Sequence, residues 1–369
     1  MHRRLSLGFV GGLAATSAVA MVSFPAPAAP ASAVTTAALP TMLKGDVSSY
    51  ALAATQVDMR KVASYWSPDR LKRASSYEPK TKPSPSTTAT TSAAEVGRAA
   101  ATIPAASSPA TGAPASDAPP MVGKVFFKVD DKEYWCSASA VHSGYKNLVA
   151  TAGHCAYSLA RDKPVENWIF IPSYANGDTS AGIFVGHTLY MHQDFQGQGD
   201  FDRDYAFVTV YRGFTWQPYT DAGKVKYRSA DAGLLEDRVG AFHFAWNKGT
   251  GRRVQVFGYP AGAHPDGSRP YTGQDVKTCS NTTEKKMASA PTWQLEHGVR
   301  LAGCQFTSGA SGGPWVIGYD SVKRTGWING VTSLTWNLNG DGRVDAVSTP
   351  YFNTVTQRVY LQATRQSTS

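Results

Sequence analysis

From position 121 onward the apolar positions fall in short runs: 125–127, 137–141, 148–150, 168–171, 183–189, 205–210, 254–257, 294–301, 314–317 and 326–332. Glycine, proline, asparagine and aspartate separate them, and almost no 3.6-residue period runs through them. That pattern predicts an all-β region built as a sandwich or as barrels. Helical character is confined to 354–363. Upstream the pattern changes. Residues 81–120 are rich in Ser, Thr, Ala and Pro and contain no aromatic, so they cannot bury enough apolar surface to fold and read as a linker. Residues 57–66 end in Tyr65-Trp66, and Ser67-Pro68-Asp69 follows them. Ser67 suits an N-cap, Pro68 the first helical position and Asp69 the positive end of the helix dipole, which predicts a short docking helix.

The start of the chain has a different logic. Arg3 and Arg4 precede an apolar, Gly/Ala-diluted run over 7–24, and Ala31-Ser32-Ala33 follows as an A-x-A site. This predicts an export signal over 1–33 and a secreted protein, by a general or a twin-arginine route. No later stretch approaches a membrane-spanning length, so no membrane association is expected once the signal is removed. The net charge of +9 needs dividing before it carries meaning. Setting aside 1–120 leaves 25 basic against 21 acidic side chains, a mild +4, for 121–369. These charges are dispersed, with no basic block interleaved with aromatics, which argues against a nucleic-acid partner. Export also places Cys136, Cys155, Cys279 and Cys304 in an oxidising compartment, where three pairings are open. A zinc site competes, but there is no C-x-x-C and no spaced histidine pair.

The candidate chemistry centres on Gly309-Ala310-Ser311-Gly312-Gly313-Pro314. Three glycines around one serine give a backbone the freedom to bring a nucleophile and its own amides to one point. The stretch also satisfies the Gly-x-Ser-x-Gly elbow of the α/β-hydrolases, in which the base histidine follows the serine. All eight histidines (2, 142, 154, 187, 192, 243, 264 and 297) precede Ser311, so that order fails. What remains is a histidine upstream, and Thr151-Ala152-Gly153-His154-Cys155 supplies it at the end of the apolar run 148–150.

These two motifs together resemble the trypsin/chymotrypsin-like serine proteases, over roughly 121–369. The resemblance implies two six-stranded antiparallel barrels, 121–240 and 241–369, ending in a C-terminal helix. It implies a catalytic triad of His154, Asp204 and Ser311 acting without metal or cofactor, and an oxyanion hole from the amides of Gly309 and Ser311. Asp204 opens the apolar run 205–210; Asp200 and Asp202, in a polar loop, are its rivals. Proximity and the resemblance favour the disulfides Cys136–Cys155 and Cys279–Cys304. Ser333 matches the serine that bonds the buried aspartate, while Gln305, Ser308, Thr332 and Thr335 would border the specificity pocket. Gln305 stands where trypsin keeps a carboxylate, so a basic-residue preference is unsupported. Similar Tyr-Trp-Ser/Thr-Pro segments precede the protease domain in secreted bacterial relatives, which makes 34–80 a propeptide.

The expected function is therefore that of a secreted, monomeric serine endopeptidase acting on proteins or peptides and regulated by its own propeptide. A catalytically silent binding relative and an esterase on the same fold are the alternatives. The stretch 337–345 has oxygen-bearing side chains at alternate positions, as a calcium loop does, but Asn-Gly and Asp-Gly are equally hairpin turns.

Overall fold

The computed structural model describes residues 46–79 and 118–368. The expected export signal, residues 34–45 and 80 of the expected propeptide, and 81–117 of the expected linker lie outside the described residues. Six strands, Val122–Val129, Lys132–Val141, Leu148–Thr151, Ala206–Val210, Phe184–His192 and Glu166–Pro172, pair antiparallel in that order. Glu166–Pro172 also pairs with Val122–Val129, and this last ladder closes the barrel. Closure on the side of Phe184–His192 runs through Ile169 and Phe170 against Val185 and Phe184, and side chains on both faces of these strands are buried in one apolar cluster that includes Val125, Phe126, Ile169, Phe170, Phe184, Phe207 and Val208, all essentially without exposure.

The second half is a half-barrel of two sheets. One orders His243–Phe244, Thr325–Val331, Pro314–Asp320, Arg253–Gly258 and Lys277–Thr282; the other orders Ala288–Ala290, Leu295–Ala302, Ala346–Pro350 and Leu334–Trp336. Their apolar faces meet in a second core that contains Val256, Leu301, Phe306, Trp315 and Val347. A helix, Thr354–Ala363, follows, with Asn353 Oδ1 accepting the amides of Val355 and Thr356 at its start. Its Tyr360 stacks on Phe244 at 4.2 Å and meets Phe207 of the first barrel edge-on at 5.6 Å. Among the described residues no helix is long and apolar enough to cross a membrane.

One arm of the fold had no counterpart in the apolar pattern. Gly213–Asp221 and Lys224–Gly233 form a two-stranded hairpin whose outer half is exposed.

Segment 46–79 packs on the first barrel. Val47–Ala51 adds antiparallel to Phe184–His192. Helices α1 (Gln56–Tyr65) and α2 (Pro68–Arg73) follow, capped by Thr55 and Ser67. Between them Trp66, 1% exposed, donates its indole N–H to Asn167 O at 2.6 Å and packs 5.7 Å from Phe126. Burying an indole contributes on the order of 5 kcal/mol as an upper bound, enough to make Trp66 the main anchor of the segment. The chain then runs as the short strand Ser75–Ser76, parallel to Tyr134–Trp135.

Candidate active site

Strand pairing brings the histidine and aspartate together. Ala206 is the register partner of Thr151, so on antiparallel neighbours a residue just before the first strand meets one just after the second. His154 lies in the tight turn Gly153–Cys155, and Asp204 ends the turn Phe201–Arg203. Asp204 Oδ1 accepts the His154 amide at 2.8 Å, and Oδ2 accepts His154 Nδ1 at 2.8 Å and the Ser333 hydroxyl at 2.6 Å. With 0% and 1% exposure, carboxylate and imidazole are shielded from water. An acceptor on Nδ1 fixes the tautomer of a neutral imidazole with its lone pair on Nε2. That Nε2 is buried and bonded to none of the described residues. Phe201 stacks on the ring at 6.2 Å, and so does Tyr77 of the N-terminal segment, also at 6.2 Å.

The rival carboxylates are engaged elsewhere. Asp200 Oδ1 accepts the Asp202 amide. Asp202 Oδ1 accepts the amides of Glu296 and His297, and Oδ2 meets His297 Nδ1 at 2.7 Å. Asp202 therefore ties the first barrel to Leu295–Ala302, while Asp204 faces His154.

The turn holding Ser311 is clamped by the strand Lys132–Val141. Ser137 donates its amide to Ser311 O and its hydroxyl to Gly309 O, both at 2.8 Å. Gly309 has φ 96° and a Cβ there would come 2.6 Å from Tyr259 O; Gly312 has φ 79° and a Cβ would run into Ser137 O and Thr151 Oγ1. Only glycine meets both demands, and the close approach at Gly312 seats the turn on the residues just before His154. Within the turn, Ala310 N donates to Thr307 O, Gly312 N to Thr332 O and Gly313 N to Ala310 O. The amides of Gly309 and Ser311 donate to none of the described residues. Two amides without an internal partner are what an anion-stabilising pocket requires.

Ser311 opens into a cleft of about 600 Å³ that Ser308, Ser333 and Thr335 also line. Gln305 is exposed and outside it. Thr332 is buried behind the wall, its hydroxyl accepting the Trp315 indole N–H at 3.0 Å. The disulfides are Cys136–Cys155 and Cys279–Cys304. The first pins the His154 turn to the strand that clamps Ser311, and the second ties Lys277–Thr282 to the chain entering the Ser311 turn. In 337–345, Asp345 accepts the amides of Leu338 and Asn339, and Asp341 that of Arg343. These carboxylates thus close a loop between the paired strands Leu334–Trp336 and Ala346–Pro350. The cleft also contains residues with no motif to mark them: Trp293 and Trp336, and His264, whose Nδ1 accepts the Val344 amide at 2.9 Å. Glu78 and Pro79 line it too.

No family model and no curated protein matches the chain. Among solved structures, the protease Anisep from Arthrobacter nicotinovorans is similar at 28% identity and TM-score 0.52, over 67% of this chain and 96% of its own. The thermostable serine protease AL20 from an extremophilic microorganism is similar at 28% identity and TM-score 0.53, over 69% of this chain and all of its own. The neighbours are bacterial serine proteases, and the chain's likeness to them is the one that the trypsin/chymotrypsin resemblance implies.

Proposed function

We propose that the chain is a secreted serine endopeptidase. The observation that carries this reading is the buried series Ser333, Asp204, His154, whose histidine follows closely on Thr151 and Ala152, the residues on which the Ser311 turn packs at Gly312. In this reading Ser311 Oγ attacks the substrate carbonyl carbon while its proton passes to His154 Nε2. Asp204 holds the tautomer and stabilises the imidazolium. The amides of Gly309 and Ser311 take the negative charge on the carbonyl oxygen, each donor contributing about 3 to 4 kcal/mol to the transition state. The C–N bond then breaks as His154 returns the proton to the leaving nitrogen, and water hydrolyses the acyl-enzyme by the same relay. Ser308 and Thr335 border the side-chain pocket.

The reading extends to the whole chain: a signal over 1–33, a propeptide over 34–80, a linker over 81–120, and a domain of two six-stranded barrels with a C-terminal helix. Two disulfides are compatible with an extracellular location. Fluorophosphonate labelling with mapping of the adduct, alongside digestion of a mixed peptide library, tests the proposal. A phosphonylated Ser311 and cleaved peptides are expected. A labelled Ser311 with uncleaved peptides would point to an esterase, and an unlabelled one to a binding protein.

A further inference from the structure

Segment 74–79 crosses the candidate active site, and its direction has a chemical consequence. Ser75 and Ser76 are the parallel partners of Tyr134 and Trp135, and the Tyr77 amide donates to Trp135 O at 3.0 Å. The next residues of that neighbouring strand are Cys136 and Ser137, which hold the His154 turn and the Ser311 turn. Travelling the same way, the segment passes Ser308, whose hydroxyl is 3.3 Å from that of Ser76, and reaches Glu78 and Pro79 at the cleft beside Ser311 and Thr335. Tyr77, buried, seats its ring between Phe127 at 5.2 Å and Tyr134 at 5.1 Å and covers the imidazole of His154.

We infer that this segment is a reverse-direction occupant of the cleft, an inhibitory peptide that the enzyme holds without cutting. The inference rests on the peptidase reading and concerns the regulation of the same site. A substrate's acyl half must lie on the pocket side, toward Ser333 and Thr335, and its leaving half on the side of the His154 turn, which Cys136 holds next to Trp135. It therefore runs from the pocket toward Trp135, antiparallel to Lys132–Val141. The segment runs the other way, entering at Trp135 and leaving over the pocket. Reversal exchanges N–H and C=O along the backbone. No carbonyl carbon is presented to Ser311 with its leaving nitrogen toward His154, so tight binding does not lead to attack. The Tyr77 ring also lies over the face of the imidazole that catalysis needs, 6.2 Å away, and Nε2 is buried and unbonded among the described residues. The partner that fits this face is an extended peptide of the type Ser-Ser-Tyr-Glu-Pro, its tyrosine in the aromatic slot.

The test uses the full chain and the rate of fluorophosphonate capture at Ser311. The parent should label slowly, and Tyr77→Ala should label roughly tenfold faster or more, as expected for loss of a buried aromatic anchor. Ser76→Trp, which cannot fit over Gly309 and Ser308 yet leaves the tyrosine slot intact, should do the same, and Tyr77→Phe should stay close to the parent. Mass spectrometry after long incubation should find no cut within 74–79. Equal labelling of parent, Tyr77→Ala and Ser76→Trp, or a cut within 74–79, would overturn the inference while leaving the peptidase reading in place. No labelling of any form, even after the linker is nicked by an added protease, would overturn both.

Discussion

Asp204 gives one carboxylate oxygen to the backbone amide of His154 and the other to its ring, at 2.8 Å each. The first bond locates the turn and the second sets the tautomer. Asp204→Asn keeps the size and the possibility of a bond to the amide, but the carboxamide can present an N–H to Nδ1 and select the opposite tautomer. Turnover is expected to fall by about four orders of magnitude with little change in thermal midpoint. Ser333→Ala removes one of three donors to the same carboxylate and is expected to cost far less. Rates measured on one peptide substrate for both variants check the ranking; a loss in Ser333→Ala equal to that in Asp204→Asn would contradict it.

Ser311→Ala should abolish turnover and leave the fold intact, because the turn is held by Ser137 and by its glycines and not by the hydroxyl. Gly309→Ala makes the complementary case. It keeps the nucleophile but forces a Cβ toward Tyr259 O at a left-handed φ, which should cost roughly 1 to 3 kcal/mol of stability and most of the activity. Circular dichroism and a burst assay separate the two outcomes. A Gly309→Ala protein with full stability and rate would remove the case for that turn as an anion pocket.

Lys124 is a buried cation in an aromatic box, its Nζ 3.8 Å from the Trp135 ring centroid and 4.6 Å from that of Tyr174. Burial pushes its ammonium down to about 7, with Asp275 opposing. Between that value and the usual 10.5 the unfolded chain binds a proton that the folded one does not, so stability rises with pH across the window. Below about 7 both states are charged and the folded state carries the full desolvation cost. Lys124→Met should therefore be more stable than the parent by on the order of a few kcal/mol at pH 6, with the gain shrinking toward pH 10. Urea melts across that range check it; a gain independent of pH would show that burial is not the cause.

How far the sequence reached depended on whether a residue's neighbours were written nearby. The first barrel was legible because its strands are buried on both faces, so 125–127, 148–150 and 205–210 stand out as unbroken apolar runs. Asp204 was separable from Asp200 and Asp202 for the same reason, since it alone abuts such a run. The hairpin Gly213–Asp221 with Lys224–Gly233 was not legible. It has no core to face over its outer half, it contains Pro218, and its turn sets Ala222 and Gly223 at φ 48° and 75°, where Asn-Gly would have been the recognisable pair. His264 and Trp293 enter the cleft from turns with no periodicity, and Tyr77 reaches His154 only through a pairing of strands far apart in the chain. No local pattern encodes such contacts.

Cys279→Ser with Cys304→Ser opens a bridge spanning 25 residues, a loop worth about 3 kcal/mol in the chain-entropy picture. Because Cys304 leads directly into the Ser311 turn, the pair should lose activity at a lower temperature than it loses far-ultraviolet signal. Coincident losses would show that the bridge steadies the whole half-barrel and not the turn.

Activation by a new N-terminus that pairs with an acid beside the nucleophile has no receptor here. The neighbour of Ser311 is Ala310, fully buried, and the space by its side chain is taken by the backbone at Gly258. The entry to the first barrel is already fastened without a free terminus. Val122 N donates to Pro119 O, Ala140 N to Met121 O, and the Ser173 hydroxyl to Pro120 O. Removal of segment 46–79 should therefore be sufficient for activity wherever the chain is cut between about 105 and 117, because what changes is the cover over His154 and not a bond to the new end. Chains starting at several points in that interval should show kcat/KM values within about threefold of one another, well under the tenfold that one lost ion pair would cost. Activity confined to a single start residue would mean that a specific terminus completes the site by another route.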